Sequence, residues 1–120
     1  MAIEMASPYG KIFVTEAVVA AITGSAALDC YGLVGMASRN QLKDGIAELL
    51  RKENLSRGIE IHRDENGILA IDLYIVVSYG TKISVVAHNV QTKVKYVLRE
   101  VAGLQVETVN IFVQGVRIAQ

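Results

Sequence analysis

Two apolar runs in the middle of the chain predict a β-hairpin. Residues 59–62 alternate isoleucine with polar residues, and residues 68–78 are apolar at almost every position. Between them, Asp64-Glu65-Asn66-Gly67 predicts a turn, because Asn-Gly readily adopts positive φ. One face of the longer run holds only aliphatic residues: Leu69, Ile71, Leu73, Ile75 and Val77. The other face is largely apolar too, so we expect a central strand that is covered, at least partly, on both sides.

The first two predicted helices follow from apolar residues at three- and four-residue spacing. The first is capped by Thr15 and ends near Asp29; many of its residues are small, which lets another element approach closely. Its apolar stripe is Val14, Val18, Ile22 and Ala26. The second spans roughly residues 41–54 after a cap at Asn40. Gly45 inside it costs up to ~1 kcal/mol relative to alanine.

A third helix begins after a cap at Thr81 or Ser84 and ends before Gly103, which predicts a C-terminal cap. Three further strands are predicted at residues 11–14, 31–37 and 106–118, the middle one as a strand or a tight extended link. Gly115 indicates a β-bulge in the last strand. Residues 1–10 contain a proline and a glycine, and they are predicted to be loose.

The predicted order is β-α-(β)-α-β-β-α-β. It indicates an α+β two-layer sandwich, with about three helices on one face of a mixed sheet of three to four strands. Whether the last strand lies beside the long hairpin strand stays open. No repeat or linker divides the chain, so we expect one domain over residues 1–120, with 1–9 as a loose N-terminal segment.

Composition and charge narrow the class of protein. The chain is 52% hydrophobic and 20% charged, which is not the composition of a disordered chain. Its formal net charge is zero, so bulk charge does not favour a duplex DNA partner. With neither a signal-peptide pattern nor an apolar run of about 20 residues, we expect a soluble cytoplasmic protein without direct membrane insertion.

The residues that could carry chemistry are few. Cys30 is the single cysteine, which excludes an intrachain disulfide and a cysteine cluster for zinc, and fits a reducing compartment. His62 and His88 lack partners at helical metal-ligand spacing, so we interpret both as surface residues. Asp72, a charge inside an apolar strand, is either a buried acid with a raised pKa or a residue that lies at a sheet edge or meets a lysine or arginine. A small enzyme that uses Asp72 or a Cys30–His88 pair stays open, but no catalytic, cofactor-binding or metal-binding residue is assigned.

One short pattern is found in RNA-binding proteins. Gly32, Leu33, Val34 and Gly35 form a GxxG between two predicted helices, as in the KH module, where this loop clamps a nucleic-acid backbone. Leu33 and Val34 are apolar where basic side chains are usual. The alternatives are therefore a KH-like RNA-binding loop and a structural turn or strand.

Two candidate interaction surfaces remain. Tyr74, Val76 and Phe112 lie on the sheet face opposite the predicted helices, and an exposed apolar patch of that kind usually marks an interface. Lys93, Lys95 and Arg99 share an exposed side of the third helix. That basic face is either simply solvated or docks to an acidic partner or anionic surface. We expect self-association or a protein partner.

Five collinear blocks carry a resemblance to a known family. They are Gly10-Lys11-Ile12-Phe13-Val14, Tyr31-Gly32-Leu33-Val34-Gly35-Met36, Ile71-Asp72-Leu73-Tyr74-Ile75-Val76-Val77-Ser78-Tyr79-Gly80, Val86-Ala87-His88-Asn89-Val90-Gln91 and Val109-Asn110-Ile111-Phe112-Val113-Gln114-Gly115-Val116. Together, over about residues 9–118, the chain resembles the alkaline shock protein family of Gram-positive bacteria, also called the envelope stress response family.

The resemblance implies a small cytosolic α+β protein without established enzymatic activity or cofactor. It implies an accessory or scaffold protein that self-assembles and serves the envelope stress response. Some members lie beneath the membrane, held by a membrane-anchored member of the family. Others accompany a dihydroxyacetone-kinase-like or fatty-acid-kinase-like protein.

Overall fold

The computed structural model describes residues 2–43, 46–49 and 57–118, which contain two helices and seven strands. In chain order these are β1 (Ala2–Ser7), β2 (Gly10–Thr15), α1 (Glu16–Leu28), β3 (Leu33–Lys43), β4 (Ile46–Leu49), β5 (Ile59–Arg63), β6 (Leu69–Ser78), α2 (Ile83–Ala102) and β7 (Val106–Arg117). The α+β class is confirmed. The described residues hold two helices instead of about three, and the predicted order of elements is not matched.

The main sheet is built around β6. β7 runs parallel to β6 along one edge over its whole length. β5 and β3 share the other edge, where β5 pairs antiparallel with residues 69–73 and β3 with residues 75–77. β4 extends the sheet beyond β3. The mixed sheet is therefore confirmed, but among the described residues it holds five strands instead of the predicted three to four. The last strand, whose place the sequence left open, is the parallel neighbour of β6.

The hydrophobic core lies between one face of this sheet and the helices. The predicted aliphatic face of β6 is buried at every position: Leu69, Ile71, Leu73, Ile75 and Val77. α2 contributes buried side chains at helical spacing: Val86, Val90, Val94 and Leu98. Burying each is worth about 1.5–3 kcal/mol. This exceeds the ~0.7 kcal/mol or less by which valine disfavours a helix relative to alanine, so packing holds α2 together.

α1 is capped as predicted, and its buried face matches the predicted apolar stripe in part: Ala26 is buried, and Val14 and Ile22 pack against the core. The backbone N–H of Val18 donates to Thr15 Oγ1 at 3.2 Å. The predicted apolar stripe is wrong at Val18, whose side chain is 47% exposed. The buried face consists mainly of small residues: Val19, Ala20, Thr23, Gly24, Ala26 and Ala27. Close packing of the helix backbone, and not side-chain size, decides which face turns inward.

The N-terminal segment, predicted to be loose, forms β1. It pairs antiparallel with β2 in a separate two-stranded sheet, from Ala2 opposite Thr15 to Ser7 opposite Gly10. Ile3 of β1 is buried in the core. Pro8 occupies the two-residue turn between these strands, where its fixed φ is accommodated, so it marks a hairpin and not a loose start.

The predicted helix over residues 41–54 is wrong where the structure describes it. β3 continues to Lys43, and β4 occupies Ile46–Leu49, with Leu42 opposite Ala47. Residues 44–45 and 50–54 of the predicted helix lie outside the described residues. Helical spacing here is a weak local signal that Gly45 weakens further, and strand pairing across the sheet overrides it.

The two ends of α2 compare differently with the sequence prediction. Lys82 holds the N-terminal capping position without a side-chain hydrogen bond, so the predicted cap at Thr81 or Ser84 is wrong. Thr81 Oγ1 instead donates to the backbone oxygen of Ser78 at 2.6 Å. Gly103 ends the helix with a left-handed φ of 68°, as predicted. The predicted bulge is present too: Ile75 pairs with Val113, but Val76 pairs with Gly115.

Candidate functional site

The face of the main sheet that points away from the helices, here called the outer face, carries both aromatic and polar side chains. Strand register arranges them in rows across the sheet. Tyr74 of β6 lies beside Phe112 of β7. One step along, Asp72 lies between Glu60 of β5 and Asn110 of β7. Neighbouring side chains on one face of a sheet interact directly, so each row behaves as a unit.

The aromatic row is a stacked pair that is open to solvent. The rings of Tyr74 and Phe112 have centroids 4.8 Å apart and an interplanar angle of 13°. Phe112 is 43% exposed, and Tyr74 is half-buried. Such pairs contribute about 0.5–1.5 kcal/mol beyond their buried area. The structure therefore brings these two predicted interface residues together on an accessible surface.

Val76, the third predicted interface residue, lies beneath the surface. Its side chain is 1% exposed and forms a small buried cluster with Ala37 of β3. It therefore offers no area to a partner, and its membership of the interface is corrected. The expectation that β6 is covered on both faces is confirmed at this point.

The polar row converges on Asp72, the charge that interrupts the apolar strand. Its Oδ2 lies 3.0 Å from His62 Nε2, and its Oδ1 accepts a hydrogen bond from Asn110 Nδ2 at 2.8 Å. Glu60 Oε1 lies 3.8 Å from His62 Nε2. The side chain of Asp72 is 15% exposed. Asp72 is thus a half-buried carboxylate held by a histidine and an amide, not by lysine or arginine.

Metal-ligand spacing on a helix does not predict this cluster, because its residues lie on neighbouring paired strands. His62 and Asp72 are ten positions apart, but the hairpin register places Glu60 opposite Asp72 and His62 one pair farther along the same face. A two-residue turn at Asn66-Gly67 would pair Glu60 with Leu73, one residue away from the observed register, because the loop is longer and the Asp64 N–H donates to the Ile68 oxygen. Period-two alternation on both strands indicates that Glu60, His62 and Asp72 share a face, but it does not give which residues lie opposite each other.

The GxxG segment does not form the loop that the KH hypothesis requires. Leu33 and Gly35 belong to β3 and pair with Val77 and Val76 of β6. Gly32 sits in the preceding turn, where its oxygen accepts from the Ser78 N–H at 2.8 Å. Leu33 and Gly35 are thus engaged in the sheet, and the RNA-binding alternative through Gly32, Leu33, Val34 and Gly35 is not supported.

The predicted basic face on α2 is divided among separate contacts. Lys95 Nζ donates to the backbone oxygen of Glu107 at 3.1 Å. Arg99 pairs with Glu100 at 3.1 Å and lies 5.6 Å from the centre of the Tyr96 ring. Lys93 is half-buried and lines the groove between α1 and α2. The three cationic residues lie on the same helix, but each has a different set of neighbours.

β7 is an edge strand whose first half is shielded by α2. Gln91 Nε2 donates to the backbone oxygen of Val109 at 2.9 Å, and Lys95 reaches that of Glu107. These bonds occupy carbonyls on the edge that faces away from β6. From Ile111 onward, no strand in the described part of the chain pairs with this edge. Unpaired strand edges are ready templates for another strand.

Cys30 is held as a neutral thiol. Its Sγ lies 3.7 Å from the backbone oxygen of Ala26 and 4.0 Å from that of Asn89. Desolvation by burial raises the pKa of this thiol; nearby Lys93 opposes the shift and Asp29 adds to it. A raised pKa lowers the thiolate fraction at neutral pH, which is the opposite of what a nucleophile needs.

We therefore expect Cys30 to react slowly with iodoacetamide. At pH 8 its rate should lie below that of glutathione, because only the thiolate attacks and the raised pKa reduces its population. The rate should rise steadily with pH and reach the glutathione value in denaturant. Mass spectrometry of the alkylated protein gives the rates. A native rate equal to that of glutathione contradicts the raised pKa.

Comparison with known proteins gives the family. The model of the alkaline shock protein 23 family, described as having a cell envelope-related function, matches residues 4–118. The chain belongs to this family. The resemblance noted in the sequence is thus confirmed over nearly the whole chain, and so is the link to the cell envelope.

Two curated relatives of this family member are proteins without an assigned function. The uncharacterised protein YloU of Bacillus subtilis is 59% identical over 118 residues, which cover 98% of each chain. The uncharacterised protein Spy1614 of Streptococcus pyogenes is 38% identical over 118 residues, covering 98% of this chain and 97% of the relative. No solved structure matches the chain. The surfaces of this family member are therefore the main guide to its function.

The described helices of this family member do not meet the requirements of a membrane-spanning segment. Within the described ranges, neither α1 nor α2 combines the length and apolar character that crossing a bilayer demands.

Proposed function

We propose that this protein is a non-catalytic accessory protein of the cell envelope that acts by pairing with a second copy of itself. The family supplies the cell envelope-related function. The single observation that carries self-association is the half of the β7 edge, from Ile111 onward, with which no strand of the described residues pairs, beside the exposed Phe112. An edge strand and an aromatic side chain at one place favour a partner that brings both another strand and another apolar surface.

The partner that fits the unpaired part of this edge best is the β7 strand of a second copy of the chain. Two edge strands that meet antiparallel about a two-fold axis present the same patch to each other and close the pair. The carbonyls of Glu107 and Val109 are already bonded by α2, which leaves the segment from Ile111 onward for pairing. The formal net charge of zero adds no long-range repulsion between copies.

Pairing over residues 111–117 places the two-fold axis near Gln114, so Phe112 of each copy lies two residues from the axis. Side chains directly opposite across antiparallel strands have Cβ atoms about 4.5–5.5 Å apart, so Phe112 would contact the last residues of the other copy's β7. Tyr74 stacks on Phe112 within each copy, which extends the apolar row across the joined sheets. The interface thus keeps Tyr74 and Phe112 from the sequence prediction and drops Val76.

The same edge offers a route to other members of the family. A membrane-anchored relative with the same fold would present the same strand, and mixed pairing would hold this cytosolic chain beneath the membrane. A dihydroxyacetone-kinase-like or fatty-acid-kinase-like protein is the further partner we propose, for the side of α2 that carries Lys93, Lys95 and Arg99. Affinity purification from the native cell tests these two partners.

Phe112→Glu should disrupt self-association. The change places an unpaired carboxylate of each copy in the edge that pairing removes from water, where an unpaired charge is costly. We expect the dimer dissociation constant to rise at least about tenfold, a change of ~1.4 kcal/mol. Sedimentation equilibrium measures it as a shift from twice the 13.0 kDa chain mass toward the single mass.

Phe13→Glu is the matched control for this experiment. Phe13 is 62% exposed, but it lies on β2 of the separate two-stranded sheet. It should leave the dissociation constant unchanged. Melting curves from circular dichroism verify that both variants fold. A native protein that stays monomeric at high micromolar concentration, or equal effects of the two variants, refutes pairing through β7.

A further inference from the structure

The cluster of Glu60, His62 and Asp72 on the outer face goes beyond self-association, because its chemistry is that of a cation site. Three strands contribute to it: β5 supplies Glu60 and His62, β6 supplies Asp72, and β7 supplies Asn110 as a hydrogen-bond donor. One ligand atom from each of Glu60, His62 and Asp72 lies within 4.8 Å of the other two. We propose that these three residues bind a zinc ion.

The distances suit that ion. Zinc binds imidazole nitrogen at about 2.0–2.1 Å and carboxylate oxygen at about 2.0–2.2 Å, which places neighbouring tetrahedral ligands roughly 3.3 Å apart. His62 Nε2 lies 3.0 Å from Asp72 Oδ2 and 3.8 Å from Glu60 Oε1. These values bracket the tetrahedral spacing, so small side-chain adjustments complete the arrangement. Strand pairing fixes the backbone beneath all three residues.

The surrounding groups orient the ligands. Asn110 Nδ2 donates to Asp72 Oδ1, which leaves Oδ2 directed at His62. The Tyr74 hydroxyl donates to Glu60 Oε1 in a long bond of 3.4 Å. Partners of this kind fix ligand direction in metal sites, and losing one typically costs 10–100-fold in affinity. Asn110 is therefore a positioning residue in this proposal.

Charge and solvent access also favour a divalent cation. Glu60 and Asp72 lie directly opposite each other on neighbouring strands, so both carboxylates are within reach of one cation. The side chain of His62 is 55% exposed, whereas those of Glu60 and Asp72 are 24% and 15% exposed. The site is thus half-buried on the carboxylate side and open on the histidine side, where water completes the coordination.

The donor set selects among metals. Mg²⁺ and Ca²⁺ take oxygen ligands, and Mg²⁺ requires near-ideal octahedral geometry. An imidazole nitrogen with two carboxylates instead suits a first-row transition ion. Zinc has no geometric preference from d electrons, so it tolerates ligands whose positions the sheet dictates.

Isothermal titration calorimetry of the full, tag-free chain with Zn²⁺ tests the proposal. We expect saturable binding of one zinc ion per chain. His62→Gln should weaken binding at least about tenfold, and Asn110→Ala should weaken it while leaving the stoichiometry unchanged. Visible absorption of bound Co²⁺ provides a second readout, which His62→Gln should abolish.

Two variants serve as controls. His88→Gln removes the other histidine of the chain, and Cys30→Ser removes its thiol. Both should bind zinc as the native protein does. Melting curves in chelator show whether each variant folds. Absence of saturable binding, native affinity in His62→Gln, loss of binding in Cys30→Ser, or tighter binding of Mg²⁺ than of Zn²⁺ each overturns the proposal.

Discussion

Replacing Gly32 by alanine is expected to lower the free energy of unfolding by about 2–5 kcal/mol, from two separate causes. Gly32 has a φ of +89°, a conformation that costs a residue with a side chain about 1–2 kcal/mol. A Cβ there would also lie 2.7 Å from Val86 Cγ2, in the first turn of α2. Relieving such a contact in a packed region costs about 1–3 kcal/mol more.

Gly80→Ala separates the two causes. Gly80 has nearly the same backbone angle, with φ of +92°, but a Cβ there would meet no atom within 4 Å. It should lose only the conformational part, about 1–2 kcal/mol. Urea unfolding followed by circular dichroism gives both values. If the two variants are equally destabilised, the contact with Val86 is not what requires glycine at position 32.

The outcome bears on the GxxG pattern as well. Position 32 requires glycine because α2 packs against the turn, and Leu33 and Gly35 continue into the sheet. A glycine spacing typical of RNA-binding loops thus arises here from close packing between a turn and a helix. Spacing alone does not distinguish these origins, since both need a residue without a side chain.

Local patterns predicted the second half of the fold well. The β5–β6 hairpin, the body and C-terminal cap of α2, and the bulged last strand each depend on signals within a few residues of one another. The alternation of side chains along β6 predicted its buried face, and Gly103 predicted the end of α2. In these segments local preference and tertiary packing agree, which makes a short-range rule sufficient.

The first half departs from those patterns because distant pairing decides it. β1 is stabilised by pairing with β2. β3 is stabilised by pairing with β6, which lies some forty positions later in the chain. The apolar spacing after Asn40 is compatible with a helix, but the partner strands select an extended backbone. No local rule reports which strands are available for pairing.

The candidate site shows the same division. Period-two alternation placed Tyr74 and Phe112 on one face, and their stacking follows from β7 lying beside β6. Val76 shares that alternation, but Ala37 of β3 covers it. The polar cluster required a register across three strands. The sequence of one strand therefore predicted which of its side chains share a face. It did not predict which residues a neighbouring strand places beside them, or which of them that strand covers.

Leu98→Ala is expected to cause the largest loss of stability among the substitutions considered, about 2.7–5 kcal/mol. Leu98 is fully buried in the last turns of α2, in the core that also holds the inner face of β6. Truncation removes apolar contacts and leaves a cavity that the close-packed sheet fills only partly. For a domain with a total stability of roughly 5–15 kcal/mol, such a loss consumes a large fraction.

Val101→Ala, three residues later on the same helix, is the control for Leu98→Ala. Val101 is 70% exposed, so its truncation should change the free energy of unfolding by less than about 0.5 kcal/mol. Urea unfolding of both variants tests the assignment of the buried face. A large loss at Val101 with little at Leu98 would require α2 to be rotated about its axis. That rotation would also withdraw Gln91 and Lys95 from the edge of β7, leaving the whole strand open to a partner.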